Sequence, residues 1–270
     1  MKNVPDKLPA FPIARAISIL RREIRQWDDP IVTKLARRKR DPFKVLIATI
    51  LSLRTKDTCT AEAAARLFAL ADTPEGLLRI PAGTIAKTIY PVGFYNTKAR
   101  NIHSVCRDLL ERFGGRAPDT RAPDTRAPDT RAPDTRAPDA RVPDTRAPDT
   151  RAPDTRAPDA RVPDTIEELL TLQGVGRKTA NLVLSQGYGI PAICVDTHVH
   201  RITNRWGYVS TKNPEETEMR LREILPKRYW IILNDLLVTY GQNLCAPVSP
   251  WCSRCKLRSF CARIGVARSR

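Results

Sequence analysis

Fifty consecutive residues, Arg116 to Thr165, consist of ten copies of one pentapeptide, Arg-Ala/Val-Pro-Asp-Thr/Ala. No other feature restricts the fold as strongly. A proline in every copy breaks helices and sheet ladders alike, and no side chain is a larger hydrophobe than valine. Too little apolar surface is present to offset the entropy of ordering the block. It is predicted to form a disordered or loosely extended, polyproline-like insertion. Copies three to six (Arg126–Thr145) recur residue for residue as copies seven to ten (Arg146–Thr165), the mark of tandem expansion. The block is either a contact arm or spacer whose arginines touch phosphate, or a tolerated surface insertion. Tolerance is cheap, because each doubling of a flexible loop costs only about 0.6 kcal/mol. With nine copies removed, Phe113-Gly114-Gly115 runs straight into Arg161-Val162-Pro163-Asp164-Thr165 and a new helix. Thr165 and Glu168 have capping-box spacing for that helix, so the last copy alone has a structural role.

Every copy pairs one arginine with one aspartate, so the block is neutral. The chain's 46 Lys+Arg and 29 Asp+Glu, a formal charge of +17, therefore leave 36 basic and 19 acidic residues in the other 220. Such an excess points to a polyanionic partner. A hydrophobic fraction of 41% over 270 residues supports one or two globular domains. The longest apolar stretch, Val45–Leu53, is far too short to cross a membrane. Pro5, Pro9 and Pro12 interrupt the first residues, which lack a charged-then-apolar export pattern. A cytoplasmic protein is expected.

Outside the repeat, apolar residues recur with helical period. Ile13, Ala16, Ile17, Leu20 and Ile24 share one face, as do Ile102, Val105, Cys106, Leu109, Leu110 and Phe113. Helices are predicted over Phe43–Leu53, Thr58–Ala69, Thr84–Ile89, Ile166–Leu172, Arg177–Gln186, Thr197–Trp206, Pro214–Ile224 and Trp230–Gly241. No clear alternating strand pattern is present, so the fold class is all-α.

Three motifs carry chemistry. Cys245, Cys252, Cys255 and Cys261 are separated by six, two and five residues. Four thiolates so close suit zinc or an iron–sulfur cluster, with a disulfide framework as the other option. Cys59, Cys106 and Cys194 sit among apolar neighbours and read as small buried hydrophobes. Leu172-Gln-Gly-Val-Gly-Arg-Lys-Thr179 joins two predicted helices through a glycine-rich hairpin, where the backbone can approach a phosphate closely. It could equally be a plain interhelical turn. Val195-Asp196-Thr197-His198 places a carboxylate on a turn, where it either serves the chemistry or caps the next helix.

Together these motifs resemble the endonuclease III family of DNA glycosylase/AP lyases, helix-hairpin-helix proteins with an iron–sulfur cluster. Leu51-Ser-Leu-Arg-Thr-Lys-Asp57 and Val92-Gly-Phe-Tyr-Asn-Thr-Lys-Ala-Arg100 are similar to further family segments, in the family's order, so the resemblance covers nearly all of the chain outside the repeat. It implies two helical lobes: a six-helix barrel over 35–190 with the helix-hairpin-helix at about 165–188, and a cluster lobe from 1–34 and 191–270. A 4Fe–4S cluster would be held by Cys245, Cys252, Cys255 and Cys261, in a loop spanning 245–261. The insertion at 116–165 would interrupt the barrel and loop away from the cleft between the lobes.

The resemblance also implies a function. The chain would act as a monomer on double-stranded DNA with damaged bases or abasic sites, in the cytoplasm of a prokaryote, on the nucleoid. It would excise oxidised pyrimidines and nick the abasic strand by β-elimination. Lys178 is carried over as the nucleophile and Asp196 as the carboxylate partner. Arg54, Phe94, Gly174, Gly176, Arg177, Thr179, His198, Lys256 and Arg258 would contact DNA. Arg54 stands where many bacterial relatives have glutamine, Phe94 where a leucine wedge is common, and Gln173 where proline precedes the hairpin. The alternatives are a mismatch-specific glycosylase of the same superfamily, whose members lack the hairpin lysine, and a non-catalytic iron–sulfur DNA-binding protein.

Overall fold

A computed structural model describes residues 11–38, 40–114 and 161–270 of the protein. Nine copies of the repeat lie outside the described residues, and with them the expectation of an extended insertion. So do the first ten residues of the expected cluster lobe. Among the described residues the chain is helical and contains no strand. The α-helices are α1 (Ile13–Glu23), α2 (Ile31–Arg38), α3 (Pro42–Ser52), α4 (Asp57–Leu70), α5 (Pro74–Arg79), α6 (Ala82–Ile89), α7 (Tyr95–Phe113), α8 (Ile166–Leu170), α9 (Arg177–Leu182), α10 (Thr197–Trp206), α11 (Pro214–Ile224) and α12 (Trp230–Asn243). A π-helical turn, Val183–Tyr188, continues α9. Periodicity located ten of these, α10 and α11 to the residue. It missed α2 and α5, whose eight and six residues are too few to show a period. The readable signal for α5 was its start, where Thr73 accepts from Gly76 N–H and Pro74 opens the helix.

Buried apolar side chains gather in two clusters. The first runs from Val32 to Cys194 and includes residues of α2 to α9. At its centre is α3, buried continuously from Val45 to Leu51, as a helix apolar on all sides must be. Asp41 starts it by accepting Lys44 N–H at 3.0 Å, with Pro42 in the first turn. The second cluster joins the two ends of the chain. Ala16, Ile17 and Leu20 of α1 pack with Val199, Ile202, Trp206, Leu233, Leu237, Tyr240 and Leu257, and Phe11 stacks on Trp206 at 4.8 Å.

The chain passes from the second cluster to the first between α1 and α2, and returns in an irregular stretch where successive side chains take opposite sides. Ala192 and Cys194 belong to the first core, Ile193 and Val195 to the second, the period-two alternation of an extended backbone. A polar tie reinforces the seam. Asp235 of α12 accepts from Thr33 Oγ1 of α2 at 2.8 Å and from Gln186 Nε2 at 3.1 Å. Burial pushes its carboxyl up to about 6, against the opposing pull of those two donors.

The last repeat copy is docked. Val162 is buried in the first core, its carbonyl accepts from Tyr188 Oη, and Arg161 pairs with Asp164. Thr165 Oγ1 accepts from Glu168 N–H and donates to Glu168 Oε2 at 3.1 Å, the expected capping contact. Removing residues 116–160 should therefore leave the melting temperature unchanged or higher. Val162→Ala in the shortened chain should cost about 2 kcal/mol in urea denaturation. A large stability loss from the deletion itself would show that the other copies also hold the fold.

Candidate active site and cysteine pocket

A cleft of about 780 Å³ opens between the two cores, and Lys178, Asp196, His198, Arg54, Phe94 and Lys98 are among its lining residues. Lys178 reaches it from the first core. The hairpin turns at Gly174, whose φ of +78° suits glycine, and a Cβ there would sit 2.4 Å from Asn101 Nδ2. Gly176 then precedes α9, and Lys178, its second residue, is half-buried at the cleft wall.

Asp196 arrives from the seam. It is the N-cap of α10, and its Oδ1 accepts from both His198 N–H and Val199 N–H at 2.9 Å. The capping reading of this residue is what the structure shows. The cap is what fixes a carboxylate at the cleft, because both bonds hold the side chain to the rigid start of a helix.

His198 is kept neutral near pH 7. Burial lowers its pKa, Arg201 and Lys178 push the same way, and Asp196 opposes them. Its Nδ1 accepts from Arg201 at 3.0 Å. The same Arg201 nitrogen donates to the Cys245 carbonyl at 2.9 Å. One turn on, Arg205 donates to the Ala246 and Pro247 carbonyls at 2.7 Å and lies 3.4 Å from Cys245 Sγ. Arg201, half-buried, and Arg205, buried, thus connect the cleft with the first cysteine.

The other predicted contacts divide. Arg54 and Phe94 are exposed at the rim, both in the left-handed region (φ +54° and +59°), with the guanidinium 5.6 Å from the ring centre. Such a conformation costs a non-glycine residue about 1 kcal/mol or more. Gly174, Gly176, Lys256 and Arg258 are exposed. Thr179 is 1% exposed, so only its main chain could meet a ligand. Arg177, expected at DNA, instead grips buried Glu218, with Nε and NH2 at 3.0 and 2.8 Å from its two oxygens.

Sequence reasoning passed over Glu218, Arg201, Arg205 and Lys98. For Lys98 a signal existed: it lies on the apolar stripe of α7 that continues through Ile102, Val105 and Leu109.

Cys245, Cys252, Cys255 and Cys261 line one pocket with Arg205, Trp206, Tyr240, Leu244 and Trp251. All four thiols are free, which sets the disulfide option aside for them, and Tyr240 Oη lies 3.2 Å from Cys255 Sγ. Among the described residues, no three His, Cys, Asp or Glu side chains are grouped to hold a single metal ion. Four sulfurs in an apolar wall with a guanidinium beside them nevertheless form a donor set suited to a thiolate-ligated metal group. Cys106 and Cys194 are buried in the first core and Cys59 packs against it, as small hydrophobes.

The model of the HhH-GPD superfamily of base excision DNA repair proteins matches residues 47–227. Endonuclease III of Thermotoga maritima is 38% identical over 221 residues, covering 82% of this chain and 83% of its own. Endonuclease III of Escherichia coli K12 is 30% identical over 220 residues, with the same coverage of both. A solved structure described as a trapped endonuclease III–DNA covalent intermediate, an estranged-adenine complex, superposes with a TM-score of 0.70 at 28% identity. It covers 95% of this chain and 97% of its own.

The Glu218 contacts make a testable pair of consequences. Burial would raise the Glu218 pKa, but hydrogen bonds from Arg177 and Arg222 outweigh it and hold the carboxyl below its usual value. Its stabilising contribution is therefore full above the unfolded carboxylate pKa, about 4.3, and lost as pH falls through the folded value. Glu218→Gln should cost about 1.5–3 kcal/mol at pH 7 by urea denaturation. The gap to wild type should narrow only below about pH 4. A gap that does not change with pH would remove the charge from the explanation.

Proposed function

The chain belongs to the endonuclease III family within the HhH-GPD superfamily of base excision DNA repair proteins, and we propose that it removes oxidised pyrimidines from duplex DNA and nicks the abasic strand through Lys178. Members of that family are DNA glycosylases with AP lyase activity. The observation that carries the residue assignment is one cleft lined by both Lys178 and Asp196.

The damaged nucleotide is rotated out of the stack so that its glycosidic bond becomes reachable. The amine of Lys178 gives up a proton and attacks the sugar C1′, and the base leaves with the electrons of the glycosidic bond. Asp196, fixed by its two N–H bonds, stabilises the positive charge that develops on the sugar. Ring opening gives a Schiff base between Lys178 and C1′. Loss of a C2′ proton, assisted by the same carboxylate, then expels the C3′ oxygen and breaks the strand. Neutral His198 offers a hydrogen-bonding imidazole at the same wall. The hairpin backbone at Gly174 and Gly176 and the main chain at Thr179 face a phosphate, while Arg177 keeps the hairpin helix on Glu218.

Cys245, Cys252, Cys255 and Cys261 would hold a 4Fe–4S cluster, whose contribution when bound is to tie the loop that carries Lys256 and Arg258 toward the DNA backbone. The protein works as a monomer in the prokaryotic cytoplasm, on nucleoid DNA. No helix among the described residues is long and apolar enough to cross a membrane.

Borohydride reduction during turnover tests the lyase. Wild type should become covalently attached to duplexes bearing thymine glycol or an abasic site, and Lys178→Ala should not. Asp196→Asn keeps a side chain able to cap α10 and should slow trapping by on the order of 100-fold. No adduct with wild type on any lesion would sink the assignment. Purified protein should also carry a visible absorption band and contain iron. Zinc in its place would overturn the cluster.

A further inference from the structure

The buried lysine of α7 has no part in the chemistry above, yet it is the most heavily engaged amine in the cleft wall. Lys98 is 5% exposed and forms no ion pair among the described residues. Its Nζ donates to the Leu51 carbonyl at 2.7 Å, the Leu53 carbonyl at 2.5 Å and Thr55 Oγ1 at 3.1 Å. An ammonium has three hydrogens, and all three are used on one five-residue stretch. That stretch is the end of α3, where helix carbonyls lack helical partners and carry partial negative charge. Burial lowers the Lys98 pKa to about 8, with Cys59 opposing, so the group still carries its charge near pH 7.

The stretch held by Lys98 contains Arg54, and the helix that bears Lys98 begins beside Phe94. The two turns also meet directly. Gly93 N–H donates to Thr55 Oγ1 at 3.2 Å, and a Cβ on Gly93 would lie 2.9 Å from the Arg54 carbonyl. Only a residue without a side chain allows that approach. Thr55 Oγ1 is thus shared by Lys98 and Gly93. Arg54, next to the Thr55 that Lys98 holds, and Phe94, one turn before Lys98, are both held in left-handed conformations, with the guanidinium 5.6 Å from the ring centre. Strained backbone of this kind persists where the surroundings over-determine it.

We infer that Lys98 is a positioning residue: with Thr55 and Gly93 it clamps the Arg54 and Phe94 turns into one preassembled wedge, which fills the gap left in duplex DNA by the extruded nucleotide. This rests on the glycosylase reading. Lys98 acts through Arg54 and Phe94 and touches no reacting atom. Its removal must therefore matter only where a gap and an opposite base exist.

The test uses Lys98→Met, which keeps the length and removes the donors, and Thr55→Val as a second, milder cut of the same clamp. Each is compared with wild type in cleavage of a thymine-glycol duplex and of the same lesion in single-stranded DNA. Lys98→Met should raise KM for the duplex about ten-fold, the equivalent of one charge-assisted hydrogen bond, with a smaller fall in kcat. The variant-to-wild-type ratio should move toward one on the single strand. In an Arg54→Ala/Phe94→Ala background, Lys98→Met should add little, because residues acting as one unit are non-additive. Thr55→Val should show the same pattern at lower amplitude, which covers the case of a poorly folded Lys98 variant. Equal losses on duplex and single strand, or a full additional loss in the double-alanine background, would overturn the clamp. A wild-type protein inactive on every lesion would instead remove the glycosylase reading, a distinct outcome.

Discussion

The geometry of the site depends on the return crossing of the chain, at Ala192–Val195, between two hydrophobic cores. Ala192 to Val195 cannot shift by one residue without moving Ala192 and Cys194 out of one core and Ile193 and Val195 out of the other. All four are buried, so such a slip is prohibitively costly. Asp196 follows at once, where the extended stretch turns into α10, and capping that helix completes its anchorage. Lys178 is fixed from the opposite core, on a helix bound through Arg177 to Glu218 of α11. Asn234 Nδ2 also holds the Cys194 carbonyl at 3.2 Å, and Asp235 ties α12 back to α2 and the π-turn. Packing alone is indifferent to the direction of a polar group. These bonds add the orientation.

The same crossing connects the cleft to the cysteine pocket. α10 has ten residues and is about 15 Å long at the usual rise. Asp196 is at its start, and Arg201 and Arg205 project from successive turns toward carbonyls of the cysteine loop. A guanidinium can saturate several carbonyls in fixed directions, which suits a loop without regular structure of its own. Order in the cysteine loop is thereby communicated to the helix whose first residue is at the cleft. Phe11 stacks on Trp206, which lines the pocket, and the α1 face packs in the same core, so the two chain ends share one core.

Features of the sequence that depend on local chemistry were legible. Period and caps located most helices, and the hairpin, the aspartate and the cysteine quartet each occupy the kind of place their residue types suggested. Features that depend on long-range pairing were not. The resemblance implied that Arg177 contacts DNA; in the fold its guanidinium holds Glu218, 41 residues away. Thr179 was expected there too, and helical rotation turns its side chain into the core. The apolar stripe of α7 marked Lys98 for burial. Its carbonyl partners become visible only when α3 and α7 pack, and no window of sequence holds both.

The repeat shows from the other side how little of the chain this design uses. Both anchors of the insertion are firm: Phe113 and Val162 are buried in the same core, and Arg112 NH2 donates to Thr171 Oγ1 at 2.8 Å. For a segment of such composition between fixed ends, closure entropy grows only with the logarithm of length. Expansion from one copy to ten therefore costs about 2 kcal/mol, within reach of a normal stability margin. Because each copy is electrically neutral, expansion also leaves the electrostatic field of the basic two-core body nearly unaltered in net charge. A tandem repeat that added one unpaired arginine per copy would have brought nine new cations to compete for DNA. Neutrality and a docked last copy together explain how the cleft can coexist with an insertion of this size.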